Sequence, residues 1–263
     1  MNSSLLDLIL FSEKRKDFLL LLKEGPKSIE EILEKLQVSR TALLPQIKKL
    51  REENLVIHEN EMYRLSLIGE IIVEKMQPLL YTLAIFEKNE DFWAERKLTP
   101  IPPNLTKRIS ELGDYLLIEP DLSHTFDLNP EFVKHLSNSS CIHIFLSYFH
   151  PQFPAFFLSL ARKGIKISLI LSEAVNLRFE DDFKKEEEKF LNMQNTSLFI
   201  LDKKRIEIPA VISSTDRIMT LGLFNENGKF DNQYVISFDR KAIKWGDDLF
   251  KYYRDMSREI KVK

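Results

Sequence analysis

Apolar residues recur at helical spacing through most of the first hundred positions, and polar residues mark where each predicted helix begins and ends. The spacing predicts a helix over residues 4–23 that stops at the glycine-proline pair following it. Ser28 and Glu31 form a capping-box pattern, in which the serine oxygen accepts a backbone N–H and the glutamate reaches back to the serine amide. This pattern opens a second predicted helix that runs through Leu36.

A third helix and a small ribbon follow in the pattern. Ser39 can cap a helix that runs to about Glu53. Two β-capable arms within residues 55–66 flank the polar segment 58–61, which predicts a hairpin. The order helix, short helix, turn, helix, hairpin is typical of a winged helix-turn-helix domain, and we predict one over residues 1–66.

Helical spacing continues from Ile68 toward Arg96, with Pro78 either starting a second segment or causing a kink. Packing within one chain can explain the apolar stripe of this stretch. We favour a dimer seam, because winged-helix proteins commonly bind two DNA half-sites as two-fold dimers. We therefore predict linker or dimerisation helices over residues 67–97. The stripe consists of Ile68, Ile71, Ile72, Met76, Leu79, Leu80, Leu83 and Phe86.

Three prolines within Leu98–Asn104 interrupt the helical pattern and predict a proline-rich linker over residues 98–109. Beyond it, short runs of Ile, Phe, Val and Leu alternate with helical segments, which is typical of an α/β domain. A strand over 140–146, a helix opened by Pro151 and a further strand have the size of a βαβ crossover. The predicted fold class is therefore α/β (α+β overall): an N-terminal winged helix-turn-helix and an effector domain over 110–263 with a mostly parallel sheet.

The third predicted helix carries the strongest sign of DNA binding, because four basic residues and no acid lie between Leu36 and Arg51. Cations there can neutralise phosphates and release their counterions. Leu44 on the outward face can contact a thymine methyl, and Arg40 can reach guanine. Arg64, on the return arm of the hairpin, is a predicted wing contact. The predicted DNA-binding residues are Ser39, Arg40, Thr41, Leu44, Pro45, Lys48, Lys49, Arg51 and Arg64.

The first half also resembles a known family. The resemblance lies in the segment IEEILEKLQVSRTALLPQIKKLREENLVIHENEMYRLSLIGE, which is similar to the DNA-binding half of archaeal winged-helix regulators of the ArsR-like class. The matching positions are Val38, Ser39, Leu43, Ile47, Leu50, Leu55 and Val56.

The second half resembles the effector domain of FilR-type methanogenesis regulatory proteins. Three stretches carry this resemblance: FHPQFPAFFLSLARKGIKISLILS, TLGLFNENGKFDNQYVISFD and KAIKWGDDLFKYYRDMSREI. Together the two resemblances cover nearly the whole chain. They imply a transcription regulator, transfer no catalytic motif and name no ligand.

Ligands of open parallel sheets bind outside the carboxyl ends of the strands, where the helix opened by Pro151 would also point its positive end. An anionic small-molecule effector would suit that position. The alternative is that the aromatic residues are core and that His150 is a helix cap. The predicted ligand-binding residues are Ser147, Phe149, His150, Ser172, Glu173 and Trp245.

Composition and the lack of certain motifs argue against several other classes of protein. The seven glycines form no nucleotide-binding loop, and a net charge of −2 argues against a protein that is basic all over. Neither an H-x-K pair nor a G-x-S-x-G motif is present, so we predict no enzyme and no cofactor. Cys141 and His143 hint at a metal, with His150 nearby, but zinc sites need three or four ligands, and we predict none.

The single cysteine and the lack of a signal peptide or membrane span predict a cytoplasmic protein with no membrane partner. The sequence thus predicts a homodimeric transcription regulator that binds double-stranded operator DNA. A small-molecule effector or a partner at the second domain would modulate it. The alternative is a protein-interaction adaptor that uses the winged-helix fold without sequence-specific DNA binding.

Overall fold

A computed structural model describes residues 4–120, 128–201 and 206–260. The chain forms two compact units, Met1–Leu83 and Ala84–Lys263.

The first unit is a helical domain with a small antiparallel sheet. In its described part the strand order is β1-β3-β2. Its helices are α1 (Leu5–Leu10), α2 (Glu13–Leu22), α3 (Ile29–Leu36), α4 (Arg40–Glu52) and α5 (Leu67–Glu87), the last four residues of α5 being counted with the second unit. Its strands are β1 (Lys27–Ser28), β2 (Val56–Glu59) and β3 (Met62–Leu65).

The predicted helix over 4–23 is in fact two helices. Ser12 has an extended backbone (φ −148°, ψ 109°) and separates α1 from α2. Serine favours the position before a helix over the helix interior, because its side chain competes for backbone hydrogen bonds. The apolar pattern continues across this break, so spacing alone does not reveal it.

The predicted caps of α3 and α4 are confirmed. Ser28 Oγ accepts from Glu31 N at 3.2 Å, and Glu31 Oε2 accepts from Ser28 N at 2.7 Å, which completes the capping box. Ser39 Oγ accepts from Ala42 N at 3.3 Å at the start of α4. Between the two helices Gln37 adopts a left-handed conformation (φ 52°), so that the chain turns sharply.

The predicted hairpin is confirmed with a tighter turn than expected. Asn60 and Glu61 both have positive φ, of 51° and 60°, as a two-residue turn of this kind requires. His58 and Glu59 belong to β2, and Val56 pairs with Leu65 at the base of the ribbon. The hairpin therefore projects as a short wing after α4.

Pro78 neither ends α5 nor starts a new helix. The helix runs through it to Glu87, and a new one, α6 (Glu90–Ala94), begins after Asn89. An internal proline removes one intrahelical hydrogen bond and crowds the carbonyl four residues earlier, but a long helix can continue past it when packing supports the segment.

The predicted linker over 98–109 is wrong, because this stretch is a packed part of the second unit. Ile101 and Leu105 are buried, and residues Pro103–Thr106 form α7. Tyr253 donates from its hydroxyl to Pro100 O at 2.6 Å. Prolines exclude regular strand pairing, but they pack well and start helices, so their density marked an irregular segment and not a boundary between units.

The second unit is built on one large mixed sheet flanked by helices, which confirms the α/β class. In the described residues its strand order is β11-β7-β6-β5-β8-β9-β10-β4. The strands are β4 (Leu116–Ile118), β5 (Cys141–Leu146), β6 (Lys166–Ser172), β7 (Thr196–Leu201), β8 (Val211–Thr215), β9 (Met219–Gly222), β10 (Tyr234–Ser237) and β11 (Arg258–Ile260). The remaining helices are α8 (Pro130–Ser137), α9 (Phe153–Arg162), α10 (Glu173–Asp182), α11 (Lys184–Leu191) and α12 (Arg240–Asp255).

The prediction that this sheet is mostly parallel is wrong. Strand β6 pairs in parallel with β5 and β7, whereas the pairs β11–β7, β5–β8, β8–β9, β9–β10 and β10–β4 are antiparallel. A helical crossover joins β5 to β6, and α10 and α11 join β6 to β7, so these strands can run in parallel. The turn between β8 and β9 is too short for a crossover and forces an antiparallel pair.

The core of the second unit lies on both faces of the sheet. Ile144 and Leu146 point into an apolar cluster with α8, α9, α10 and α11, whereas Phe145 points into the opposite cluster with α6, α7 and α12. Burial on both faces explains why β5 is apolar throughout its second half.

Candidate nucleic-acid interface

Helix α4 is held by one face and exposes the other. Leu43, Ile47 and Leu50 are buried in the core of the first unit. The exposed side carries Thr41, Leu44, Pro45 and Lys48, with Leu44 40% exposed. This arrangement brings together the α4 residues predicted to bind DNA, on a surface that presents cations, a hydroxyl and apolar groups side by side.

Two cations of α4 and one of the hairpin have acidic partners. Arg40 Nη2 lies 2.6 Å from Glu30 Oε1 of α3, and Lys48 Nζ lies 3.9 Å from Glu52 Oε1. Arg64, on β3, lies 3.0 Å from Glu59 Oε2 on β2. All these side chains are exposed, so the pairs are weak and exchangeable.

The hairpin presents a mixed charge. Arg64 is exposed on β3, as predicted for a wing contact, but Glu59 and Glu61 are exposed near the turn. A phosphate that approaches Arg64 competes with the Glu59 carboxylate for the Nη2 group and is repelled by its charge. The wing is therefore a less favourable anion contact than the face of α4.

The structure adds a basic segment that the sequence analysis missed. Arg15 Nη1 donates to Gln46 Oε1 at 2.9 Å, which joins the start of α2 to α4. Lys14 and Lys16 flank Arg15 in the sequence, with Lys14 exposed and Lys16 half-buried. The run of three cations at positions 14–16, one residue beyond the Ser12 break, is the sequence signal that could have indicated this segment.

In the second unit, the residues predicted to bind an effector from β5 and β6 lie close together. These strands are parallel neighbours, with Leu146 opposite Leu171, so Ser147 and Ser172 leave the sheet at the same edge. The Phe149 ring lies 5.9 Å from that of Phe179 on α10. The carboxyl ends of the two strands thus meet as expected.

Several of these side chains have structural partners. Ser147 Oγ donates to Pro209 O at 2.5 Å, and Ser172 Oγ caps α10 by accepting from Val175 N. His150 Nδ1 accepts from Gln152 N at 3.2 Å ahead of α9. The N-cap residue of α9 is Gln152, so His150 takes part in the preceding turn and is not the helix cap of the alternative interpretation. An effector at this edge would therefore have to compete for, or add to, bonds that already exist.

Trp245 does not lie at the carboxyl ends of β5 and β6, so the prediction that it lines the effector site is wrong. The indole is fully buried in the cluster on the α12 face of the sheet, and Nε1 donates to Leu105 O at 3.0 Å. Phe149 packs against the opposite cluster. A sequence pattern gives the spacing of aromatic residues on a helix but not which face of a distant sheet they cover.

Of the three residues that suggested a metal site, only Cys141 and His143 lie close together. Cys141 Sγ lies 3.6 Å from His143 Nε2, while His150 lies beyond the other end of β5. Within the described ranges, no group of three or more His, Cys, Asp or Glu side chains is placed to hold a metal ion. Across the same ranges, no helix is both long enough and apolar enough to cross a membrane.

The fold and the exposed basic helix define a winged-helix unit combined with an α/β unit. Residues 5–84 match the N-terminal domain of the methanogenesis regulatory protein FilR1, and residues 125–256 match its middle domain. The chain belongs to the FilR1 family of methanogenesis regulatory proteins. The resemblance to FilR-type regulators is thereby confirmed.

One curated relative is the methanogenesis regulatory protein FilR1 of Methanothrix harundinacea (strain 6Ac), 24% identical over 254 residues. The alignment covers 95% of this chain and 56% of that protein, so this chain spans little more than half the length of its relative.

Two solved structures are similar at low identity. The archaeal chromatin protein TrmBL2, whose structure is described as showing a novel mode of DNA binding, is 11% identical with a TM-score of 0.44 and covers 97% of both chains. The phospholipase D family member Nuc from Salmonella typhimurium is 12% identical with a TM-score of 0.40, over 57% of this chain and 99% of that one. Both similarities are too low to establish a shared function.

Proposed function

We propose that the protein is a transcription regulator that binds double-stranded operator DNA through α4 and the β2–β3 wing. The observation that carries this proposal is the two-sided character of α4. Its inner face is anchored in the core by Leu43, Ile47 and Leu50, while its outer face is exposed and basic. A helix fixed in this way can enter a major groove as a rigid body.

The proposed contacts divide by chemistry. Lys48, Lys49 and Arg51 would neutralise phosphates, which positions the helix without reading sequence. Arg40 near the start of the helix would contact a base edge, and the apolar Leu44 would meet a thymine methyl. Arg64 on the wing would reach the backbone or the minor groove.

The proposed protein is a homodimer with α5 at the seam. Ile68, Ile71, Leu79 and Leu83 are between 44% and 54% exposed, which is unusual for four aliphatic residues on one helix. A two-fold pair of winged helices would place two copies of α4 in successive major grooves, about 34–36 Å apart.

Modulation through the second unit is the remaining part of the proposal. The carboxyl ends of β5 and β6, with Ser147, Phe149, His150, Ser172 and Glu173, would receive a small-molecule effector or a partner. Such a ligand would act by binding one conformation better than another and so shifting the population that is competent to bind DNA.

The test measures fluorescence anisotropy of labelled duplex DNA from the region upstream of the protein's own gene, at several salt concentrations. It is run with and without a small-molecule filtrate of host cells. We expect the affinity for DNA to fall steeply as the salt concentration rises. In a plot of log affinity against log salt concentration, each neutralised phosphate should contribute about −0.9 to the slope. Arg40→Glu and Lys48→Glu should abolish specific binding while circular dichroism is unchanged.

Lys244→Glu is the matched control, because it makes the same charge change at an exposed site on α12 of the second unit. The proposal fails if no salt-dependent binding is seen under either condition. It fails equally if the control weakens binding as much as the α4 variants do. The adaptor alternative would then account for the fold.

A further inference from the structure

A thiol, an imidazole and a carboxylate lie in line in the second unit, and the proposed function uses none of them. Cys141 Sγ is 3.6 Å from His143 Nε2, and His143 Nδ1 is 2.9 Å from Asp247 Oδ1. Cys141 and His143 are two residues apart on β5 and therefore share a face of the sheet. Asp247 comes from α12, which covers that face.

The histidine is oriented from two sides. Because an ionised carboxylate can only accept, the contact with Asp247 assigns the proton of the neutral ring to Nδ1, and Nε2 is then the acceptor that faces the thiol. The ring also stacks on Phe250, with centroids 5.0 Å apart and planes at 12°. The side chains of His143 and Asp247 are 37% and 45% exposed, so a dissolved molecule can reach them.

An open cleft of about 570 Å³ adjoins the pair at the amino-terminal ends of β5, β6 and β7. The parallel register places His143 opposite Ser168 and Ser168 opposite Ser197, which makes a polar row across the strands. Lys166 and Asn195 line the same cleft. The volume lies within the range of small-molecule sites, and the lining suits a polar guest.

The surroundings keep the thiol protonated at rest. Burial raises the pKa of Cys141, the nearby carboxylates of Asp247 and Asp216 raise it further, and the Lys166 ammonium lowers it. Reaction of this thiol at neutral pH therefore depends on a neighbouring base that takes the proton during attack. His143 Nε2 is that base by position.

We propose that Cys141 is a thiol–disulfide exchange site for small polar disulfides that enter this cleft, with His143 as general base and Asp247 as a positioning residue. Sγ attacks one sulfur of the disulfide while His143 takes the thiol proton. The Sγ–S bond forms, the original S–S bond breaks, and His143 returns the proton to the departing thiolate. The Cys141 thiol is oxidised to a mixed disulfide, and the other half of the disulfide is reduced to a thiol.

The test follows mixed-disulfide formation on the full-length folded chain by intact-protein mass spectrometry, with hydroxyethyl disulfide and dithiodipropionate as probes. We expect one adduct per chain that is absent from Cys141→Ser. His143→Gln should slow its formation about 100-fold, in line with the loss of a general base. Asp247→Asn should slow it less and should change the pH profile of the rate, because it replaces the charged acceptor of the Nδ1 hydrogen bond with an amide.

His135→Gln is the matched control. His135 is also paired with a carboxylate, its Nε2 lying 3.3 Å from Glu131 Oε2, and it should leave the rate unchanged. A second test uses the unaltered protein and compares the rate of mixed-disulfide formation in the folded chain with the rate in urea. At neutral pH the folded chain should react faster. The proposal is overturned if folding slows the reaction, or if His143→Gln, shown to be folded by circular dichroism, reacts as fast as the unaltered protein.

Discussion

At the scale of single residues, Arg40 already has a carboxylate partner before any DNA arrives. Its Nη2 lies 2.6 Å from Glu30 Oε1, and both side chains are exposed. A base or phosphate that binds the Nη2 side of the Arg40 guanidinium competes with Glu30. The ion pair therefore subtracts from the affinity of the proposed complex without contributing much to folding.

Removing that competitor should strengthen DNA binding. We expect Glu30→Gln to lower Kd by about two- to fivefold, the amount that corresponds to an exposed ion pair. Anisotropy titration at fixed salt measures the change. Glu34→Gln, an exposed glutamate on the same helix, is the control for the altered net charge. Equal effects of the two variants would contradict a specific role for the Glu30–Arg40 pair.

Gly69 shows a second residue-scale constraint, at the start of α5. A Cβ built there would lie 2.1 Å from Leu55 O, a backbone atom that cannot rotate away. The carbonyl is held in place because it accepts from Ser66 N at 3.0 Å. The glycine is thus needed for the close approach of two backbone segments.

Gly69→Ala should therefore reverse the usual effect of alanine in a helix. The substitution normally stabilises a helix by about 1 kcal/mol, but here we expect a loss of about 1–3 kcal/mol from overpacking. Urea unfolding followed by far-UV circular dichroism measures it, with Glu70→Ala as the control. Trp93 and Trp245 both lie in the second unit, so the fluorescence transition should stay unchanged. A stabilised first unit would refute the steric account.

At the scale of elements, α5 has two different apolar faces. Val73 and Met76 are buried in the core of the first unit. At 100° per residue, Ile68, Ile71 and Leu79 lie on the adjacent arc, and all three are exposed. The predicted seam mixed the two sets, since Met76 belongs to the core. The exposed arc alone is the candidate interface.

A charge on that arc should separate the proposed dimer. We expect Leu79→Glu to convert the protein to a monomer in sedimentation velocity, because a desolvated carboxylate has no partner at an apolar seam. The matched control is Leu177→Glu, a comparably exposed leucine on α10. If the unaltered chain sediments as a monomer at high concentration, the dimer proposal is wrong.

Elements that depend on local chemistry were predictable, and elements that depend on distant partners were not. Ser28 and Ser39 cap their helices through bonds to residues three positions on, so the sequence pattern locates them. The antiparallel half of the second sheet depends on which strands meet in space. The position of Trp245 was unpredictable for the same reason. The face of the sheet that Trp245 covers is determined by packing and not by the spacing of residues along the chain.

At the scale of the whole molecule, the boundary between units was the largest error. The change in pattern near residue 98 is real, but it separates two parts of one packed unit, and the division falls at Leu83–Ala84 inside α5. A continuous helix carries no compositional mark where one core ends and the next begins. The exposed basic face of α4 could be predicted because this helix contains both its buried anchor residues and its charged residues. Of the group Cys141, His143 and Asp247, the sequence indicated only the first two residues, because Asp247 is 104 residues from His143.

The strand β11 has a practical consequence for solubility. It pairs with β7 along Leu198, Phe199 and Ile200, and its own Arg258 and Glu259 are exposed at the rim of the sheet. A charged outer strand discourages edge-to-edge aggregation, which the apolar β7 would invite if uncovered. A chain ended after Met256 should precipitate or form soluble aggregates detectable by light scattering, whereas one ended after Ile260 should remain dispersed. Equal scattering from both would show that β11 does not protect this edge.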